Sequence, residues 1–103
     1  MELLPLELRQ HIPKLYRTRH EADPTVWAKF FSPVGYWCWC IIEVEKIDNL
    51  VIFYGWMVSS QDDPGRFIRS DLASMRAYFG ITIEYDPHFT PDRLSEVQIR
   101  EGS

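Results

Sequence analysis

The sequence is short of the residues that most often carry chemistry. It has two cysteines and three histidines among 103 residues. Cys38 and Cys40 lie one residue apart, so in an extended strand they point to the same face about 7 Å from each other. That is too far for an unstrained disulfide, and two such thiols with no other Cys fit a reducing compartment. A metal centre wants about four ligands at suitable spacing, and His11, His20 and His88 form no pair with ligand spacing. No metal or other cofactor is therefore expected, and the two thiols read as small buried apolar groups. The five glycines are scattered and build no phosphate-cradling loop. Long apolar runs are also missing: the longest, Val34 to Ile42, is too short to cross a membrane. The opening Met-Glu-Leu-Leu-Pro lacks the basic region and apolar run of a signal peptide. A cytoplasmic protein without membrane contact is expected.

An excess of positive charge is absent as well. The formal net charge is −4, but it is uneven: residues 1–20 carry +2, residues 21–50 carry −3 and residues 51–103 carry −3. An acidic body argues against nonspecific DNA binding, where affinity comes mostly from Lys and Arg on phosphates. It suits a partner that itself has a basic groove.

What the sequence does have is aromatic mass: four Trp, five Tyr and six Phe. Such rings bury much area each and make disorder untenable. The length is that of one domain, spanning 1–103, with enough chain for a core that needs no staple. Leu4, Leu8 and Ile12 recur every four residues, Pro5 suits a first helical position and Pro13 forces an end, which predicts a short helix over 5–11. Residues 14–24 are polar and read as loop. Strands are predicted over 25–31, 36–47, 50–58, 66–69 and 81–85, with a hairpin turn at Asp48-Asn49 and another at Asp62-Asp63-Pro64-Gly65. Ser70 is the predicted N-cap of a helix with Leu72, Met75 and Phe79 on one face and Gly80 as its C-cap. A last helical segment starts at Thr90-Pro91, with Leu94 and Val97 inward and a frayed tail over 100–103. The expectation is α+β: a small antiparallel sheet of four or five strands with short helices packed on it.

Period-two alternation over 36–47 collects Cys38, Cys40, Ile42 and Val44 on one face. It puts Trp37, Trp39, Ile41, Glu43 and Glu45 on the other, with Trp56 in the hairpin neighbour. Two readings of Trp37, Trp39, Ile41 and Trp56 stay open. Either helices cover this face and the rings are core, or at least one ring is exposed and meets a partner, since Trp and Tyr dominate interface hot spots. Arg9, Lys14, Arg17 and Arg19, with Tyr16 and the nearby histidines, form the one basic cluster. It is either a solvated loop or a nucleic-acid site with an interleaved aromatic. His88 follows Asp86 and could act as a general base, although Asp86-Pro87 reads better as turn chemistry.

The run Asp23-Pro24-Thr25-Val26-Trp27-Ala28-Lys29-Phe30-Phe31-Ser32-Pro33 resembles a small family of bacterial proteins classed as a domain of unknown function. So do Tyr36-Trp37-Cys38-Trp39, Phe53-Tyr54-Gly55, Ser70-Asp71-Leu72, and Asp86-Pro87-His88-Phe89-Thr90-Pro91 through Leu94-Ser95-Glu96. The resemblance covers almost the whole chain. It implies carriage on plasmids, integrative elements and phage-related islands. It implies no chemistry and transfers no site residue. The leading expectation is a noncatalytic accessory protein that binds another, unidentified protein, in one form as an inhibitor of a restriction or CRISPR nuclease. The alternatives are a nucleic-acid-binding module using the basic cluster and an enzyme centred on His88. An exposed edge strand or aromatic face would equally suit a homodimer.

Overall fold

The computed structural model describes residues 4–102. Helix α1 (Leu6–His11) starts after Pro5, which takes the N-cap position, one place earlier than expected. It stops at Ile12, whose extended ψ of 130° is what a following proline demands. Leu4 and Ile12 are buried and Leu8 packs beside them.

The predicted strand over 25–31 divides at Trp27 into β1 (Thr25–Val26) and β2 (Ala28–Phe31). The Trp27 N–H still donates to Ile41 at 2.8 Å. Two long strands follow, β3 (Cys38–Ile47) and β4 (Leu50–Val58). They close as a hairpin over Asp48, whose φ of 57° is a left-handed conformation that Asp tolerates. Next come β5 (Arg66–Ser70), α2 (Leu72–Phe79), β6 (Glu84–Tyr85), β7 (Asp92–Arg93) and α3 (Leu94–Gly102). Five of the strands form one antiparallel sheet in the order β5–β4–β3–β2–β6, while β1 and β7 pair as a separate ribbon. The architecture is α+β, with short helices on both sides of the sheet.

Four local expectations are corrected. Ser70 ends β5, and Asp71 caps α2 instead, its side chain accepting from Ser74 N. The strand expected over 81–85 shrinks to β6, because Ile81 N is still bonded to Arg76 at the end of α2. The closing helix begins at Leu94 because Asp92–Arg93 pair with β1. Residues 100–102 are helical rather than frayed, and Lys29 Nζ holds Glu101 Oε2 at 2.8 Å. Ser103 lies outside the described residues. The N-terminus of α3 is capped from a distance, Asp23 accepting from Ser95 N at 2.8 Å and Oγ at 2.7 Å. Those bonds, with the Ser95 hydroxyl first, lower the Asp23 carboxyl below its usual range. Gly80 C-caps α2 with φ 62°, as expected of a residue without a Cβ.

Both faces of the sheet are buried. On one, Phe30, Trp39, Ile41, Phe53 and Met57 lie beneath α1, α2 and Ile83. On the other, Cys40, Ile42, Trp56 and Val58 lie beneath Val26, Leu94 and Val97. Trp56 pairs with Cys40, so it sits on the cysteine face, opposite to Trp37 and Trp39.

The alternation of β3 is interrupted. A bulge between Ile41 and Glu43 shifts the register, pairing Ile41 with Gly55 and Glu43 with Tyr54. One extra residue exchanges the two faces beyond it. Val44 therefore joins the Trp39 face, and Glu43 goes to the Tyr54 side, the reverse of the simple period-two reading. The close approach at the bulge explains Gly55. A Cβ there would stand 2.7 Å from the Cys40 carbonyl carbon and 2.9 Å from Ile41 Cα.

Candidate functional site

Trp37, Trp39, Ile41 and Trp56 are all buried, at 4%, 0%, 0% and 4% exposure. Of the two readings of this strand, the core one describes them: these side chains fill two cores. Trp39 donates to Gly55 O at 3.3 Å and meets Phe53 edge-on. Trp37 packs edge-on against Phe79.

The residue that organises the surface is Glu43, which the bulge delivers to a fully buried position. A buried carboxylate is tolerated only when paired and hydrogen-bonded. Here Oε1 accepts from Tyr16 N at 2.8 Å and from Arg19 Nε and Nη2 at 3.3 and 3.1 Å. Oε2 accepts from Thr18 N at 3.0 Å and from the Thr18 hydroxyl. To present these donors the loop over 14–24 turns sharply, and Tyr16 adopts φ 70°. A left-handed conformation costs a non-glycine residue on the order of 1 kcal/mol, which persists only where its surroundings enforce it.

The outcome is a continuous row of stacked groups. Phe67 of β5 lies parallel to Tyr54 of β4, at 5.7 Å between centroids and 9° between planes. The Arg19 guanidinium covers the other ring neighbours, 3.7 Å from the Tyr54 centroid and 4.5 Å from that of Tyr16. Arg69 approaches Tyr16 at 5.4 Å. Cation–π contacts of this kind are each worth about 0.5–1 kcal/mol at exposed sites. Tyr16 and Phe67 remain 58% and 49% exposed, so the row is a rigid surface feature rather than core.

The basic cluster is thereby divided. Arg19 belongs to the Glu43 network. Arg9, Lys14 and Arg17 instead border a shallow depression of about 850 Å³, together with His11, Lys46 and the single carboxylate of Glu45.

A second hollow, about 700 Å³, lies where β2, β3 and α3 meet. Its wall includes the Lys29–Glu101 ion pair, Arg100, Cys38 and Trp37. The buried Trp37 Nε1 has no hydrogen-bond partner among the described residues. The neighbouring Cys40 thiol lowers the Cys38 thiol below the ordinary range against the opposing effect of burial. Its proximity to Cys38, together with burial, pushes the Cys40 thiol well up. Lys29 is raised: its pairing with Glu101 outweighs burial, the largest single influence, which acts to lower it. His88 borders a smaller adjoining hollow of about 240 Å³ with Asp86 and Arg100. The Asp86 carboxylate accepts from the His88 backbone N–H at 2.9 Å, which is turn chemistry as expected. No cluster of three or more His, Cys, Asp or Glu side chains is placed to hold a metal among the described residues. Asp63 likewise serves its turn, accepting from Gly65 N, Ser59 N and Ser59 Oγ.

The Glu43 network and the stacked row escape a reading by residue type. The one available signal was a glutamate inside an apolar strand, downstream of a basic loop.

A family model described as a protein of unknown function (DUF2958) matches residues 3–100. No curated protein and no solved structure matches the chain. Among the described residues, no helix is long and apolar enough to cross a membrane.

Proposed function

The chain belongs to the DUF2958 family, and we propose that it works as a noncatalytic accessory protein that binds another protein. The observation that carries this reading is the row Phe67–Tyr54–Arg19–Tyr16–Arg69, held rigid by a buried carboxylate. Tyr and Arg are, with Trp, the residues enriched at interface hot spots. A surface whose side chains are already ordered loses little entropy on binding. Partner recognition thus moves from the buried tryptophans to this arginine-bearing surface.

The setting proposed is that of a mobile genetic element, in the cytoplasm of a bacterium. In the specific form of the proposal the partner is a host restriction or CRISPR nuclease. An arginine surface would then meet an acidic patch of that nuclease rather than occupy its nucleic-acid groove.

The test is an affinity pull-down of the tagged protein from bacterial lysate, with and without nuclease treatment, against a Phe67→Ala/Arg69→Ala variant. A partner protein that survives nuclease and is lost in the variant supports the reading. Equal recovery by both proteins sinks it.

One observation favours a second reading, nucleic-acid binding: Arg9, Lys14, Arg17 and Lys46 surround one depression. Oligonucleotide retardation at low salt that disappears in Lys14→Glu/Arg17→Glu would support it. No retardation would end it.

A further inference from the structure

The main sheet ends on β5 and β6, and β5 is the longer of the two edges. β6 is an edge of two residues. Beyond the end of β2, the middle of β3 is held by the loop, Val44 N donating to Pro13 O at 2.9 Å. The β1–β7 ribbon is two residues deep. β5 differs: it runs five residues, pairs with β4 on one side, and makes no backbone hydrogen bond to any other element among the described residues. Natural sheets blunt such an edge with charge, and Arg66 and Arg69 serve that end. Half-exposed Phe67 does not, because an aromatic ring on an open edge invites pairing. Its stacking on Tyr54 leaves it fixed in place.

We infer that β5 is a docking strand, and that the partner contributes an extended segment with acidic side chains which adds to the sheet as its sixth strand. The inference rests on the protein-binding reading above and names its partner's chemistry. Side chains of a paired strand alternate between the two faces. Phe67 and Arg69 point to one face, where they pair with Trp56 and Tyr54. Opposite them, the incoming strand would place an apolar residue and an acidic residue two positions apart. On the other face Arg66 has a weak companion, Asp63 at 3.7 Å, and Ile68 continues the core. Main-chain bonds would supply affinity and the alternating side chains specificity. A second copy of this chain fits less well: pairing two β5 strands brings four arginines together along one short ribbon, and like charges across strands are unfavourable.

The test uses the full chain and a fluorescein-labelled peptide that alternates Thr with Phe and Glu in turn, read by fluorescence anisotropy. Three comparisons accompany it: the same peptide with Lys for Glu, the same peptide N-methylated along one edge, and the protein carrying Arg69→Glu. Each is expected to bind about tenfold more weakly or not at all. The N-methylated peptide leaves the protein untouched, so no folding defect enters. Equal binding by the N-methylated peptide would overturn strand addition. Equal binding by the Lys peptide would overturn the acidic partner. Displacement of the peptide by an equal concentration of oligothymidylate would overturn it in favour of nucleic acid. So would a dimer in sedimentation that Phe67→Ala dissolves, in favour of a second copy. No binding of the peptide overturns the inference while leaving the protein-binding reading intact, if Phe67→Ala/Arg69→Ala still loses its lysate partner.

Discussion

Replacing Glu43 by Gln tests whether one buried carboxylate orders the loop over 14–24. The side chain keeps its size, so packing is undisturbed. Its five hydrogen bonds do not survive intact. An amide has one acceptor oxygen, and its nitrogen must face either the Tyr16 N–H with Arg19 or the Thr18 N–H with its hydroxyl. The second choice is the milder, because the hydroxyl can turn and accept. It still sets the Thr18 N–H against another donor, and an unsatisfied buried donor costs about 1–3 kcal/mol. Arg19 loses a charged partner as well. Removing one member of a buried pair costs roughly 3–5 kcal/mol, but the Arg19 side chain is 36% exposed, and water compensates much of that. Together the loss is about 3 kcal/mol. For a chain of this length that corresponds to a fall in melting temperature of roughly 10–20 °C. Thermal unfolding followed by near-ultraviolet circular dichroism measures it. A fall of under about 3 °C would refute the claim that the Glu43 network is a structural keystone, since it corresponds to under 1 kcal/mol.

Gly55→Ala is expected to destabilise by about 1–3 kcal/mol or more, since the added methyl meets backbone rather than a movable side chain; a urea midpoint equal to that of the unaltered protein would refute it. Acid should weaken the fold through its turn carboxylates. Asp63 is lowered from 3.8 to about 2 by the Gly65 and Ser59 N–H groups and the Ser59 hydroxyl. A depressed folded value means that its contribution is complete above the unfolded pKa and is lost as pH falls from about 4 towards 2. Asp63→Asn should flatten the pH dependence of the melting temperature in that window, and an unchanged slope would disprove it. Iodoacetamide should alkylate Cys38 before Cys40, because Cys38 borders a hollow with a lowered thiol while Cys40 is sealed with a raised one. Peptide mass spectrometry reads the order, and equal labelling of both would contradict it.

The local rules settled much of this protein. Spacing of Leu4, Leu8 and Ile12, with Pro5 at the start and Pro13 at the end, defined a helix, and alternation with a turn at Asp48-Asn49 defined the central hairpin. Gly80 marked a helix end, and the class followed from the order of these elements. Each of these depends on residues close in the chain. The tertiary structure decided what depends on distant partners. The bulge after Ile41 exchanged the faces of β3, which put Val44 into one core and carried Glu43 to the other side. The pairing of β3 with β4 put Trp56 opposite Trp37 and Trp39, and helices on both faces buried all three. Arg19 parted from Arg9, Lys14 and Arg17 because a buried carboxylate 24 residues away accepts its guanidinium. Register, bulges and buried charge pairs are cooperative properties of several segments at once, and no single segment contains the signal for them.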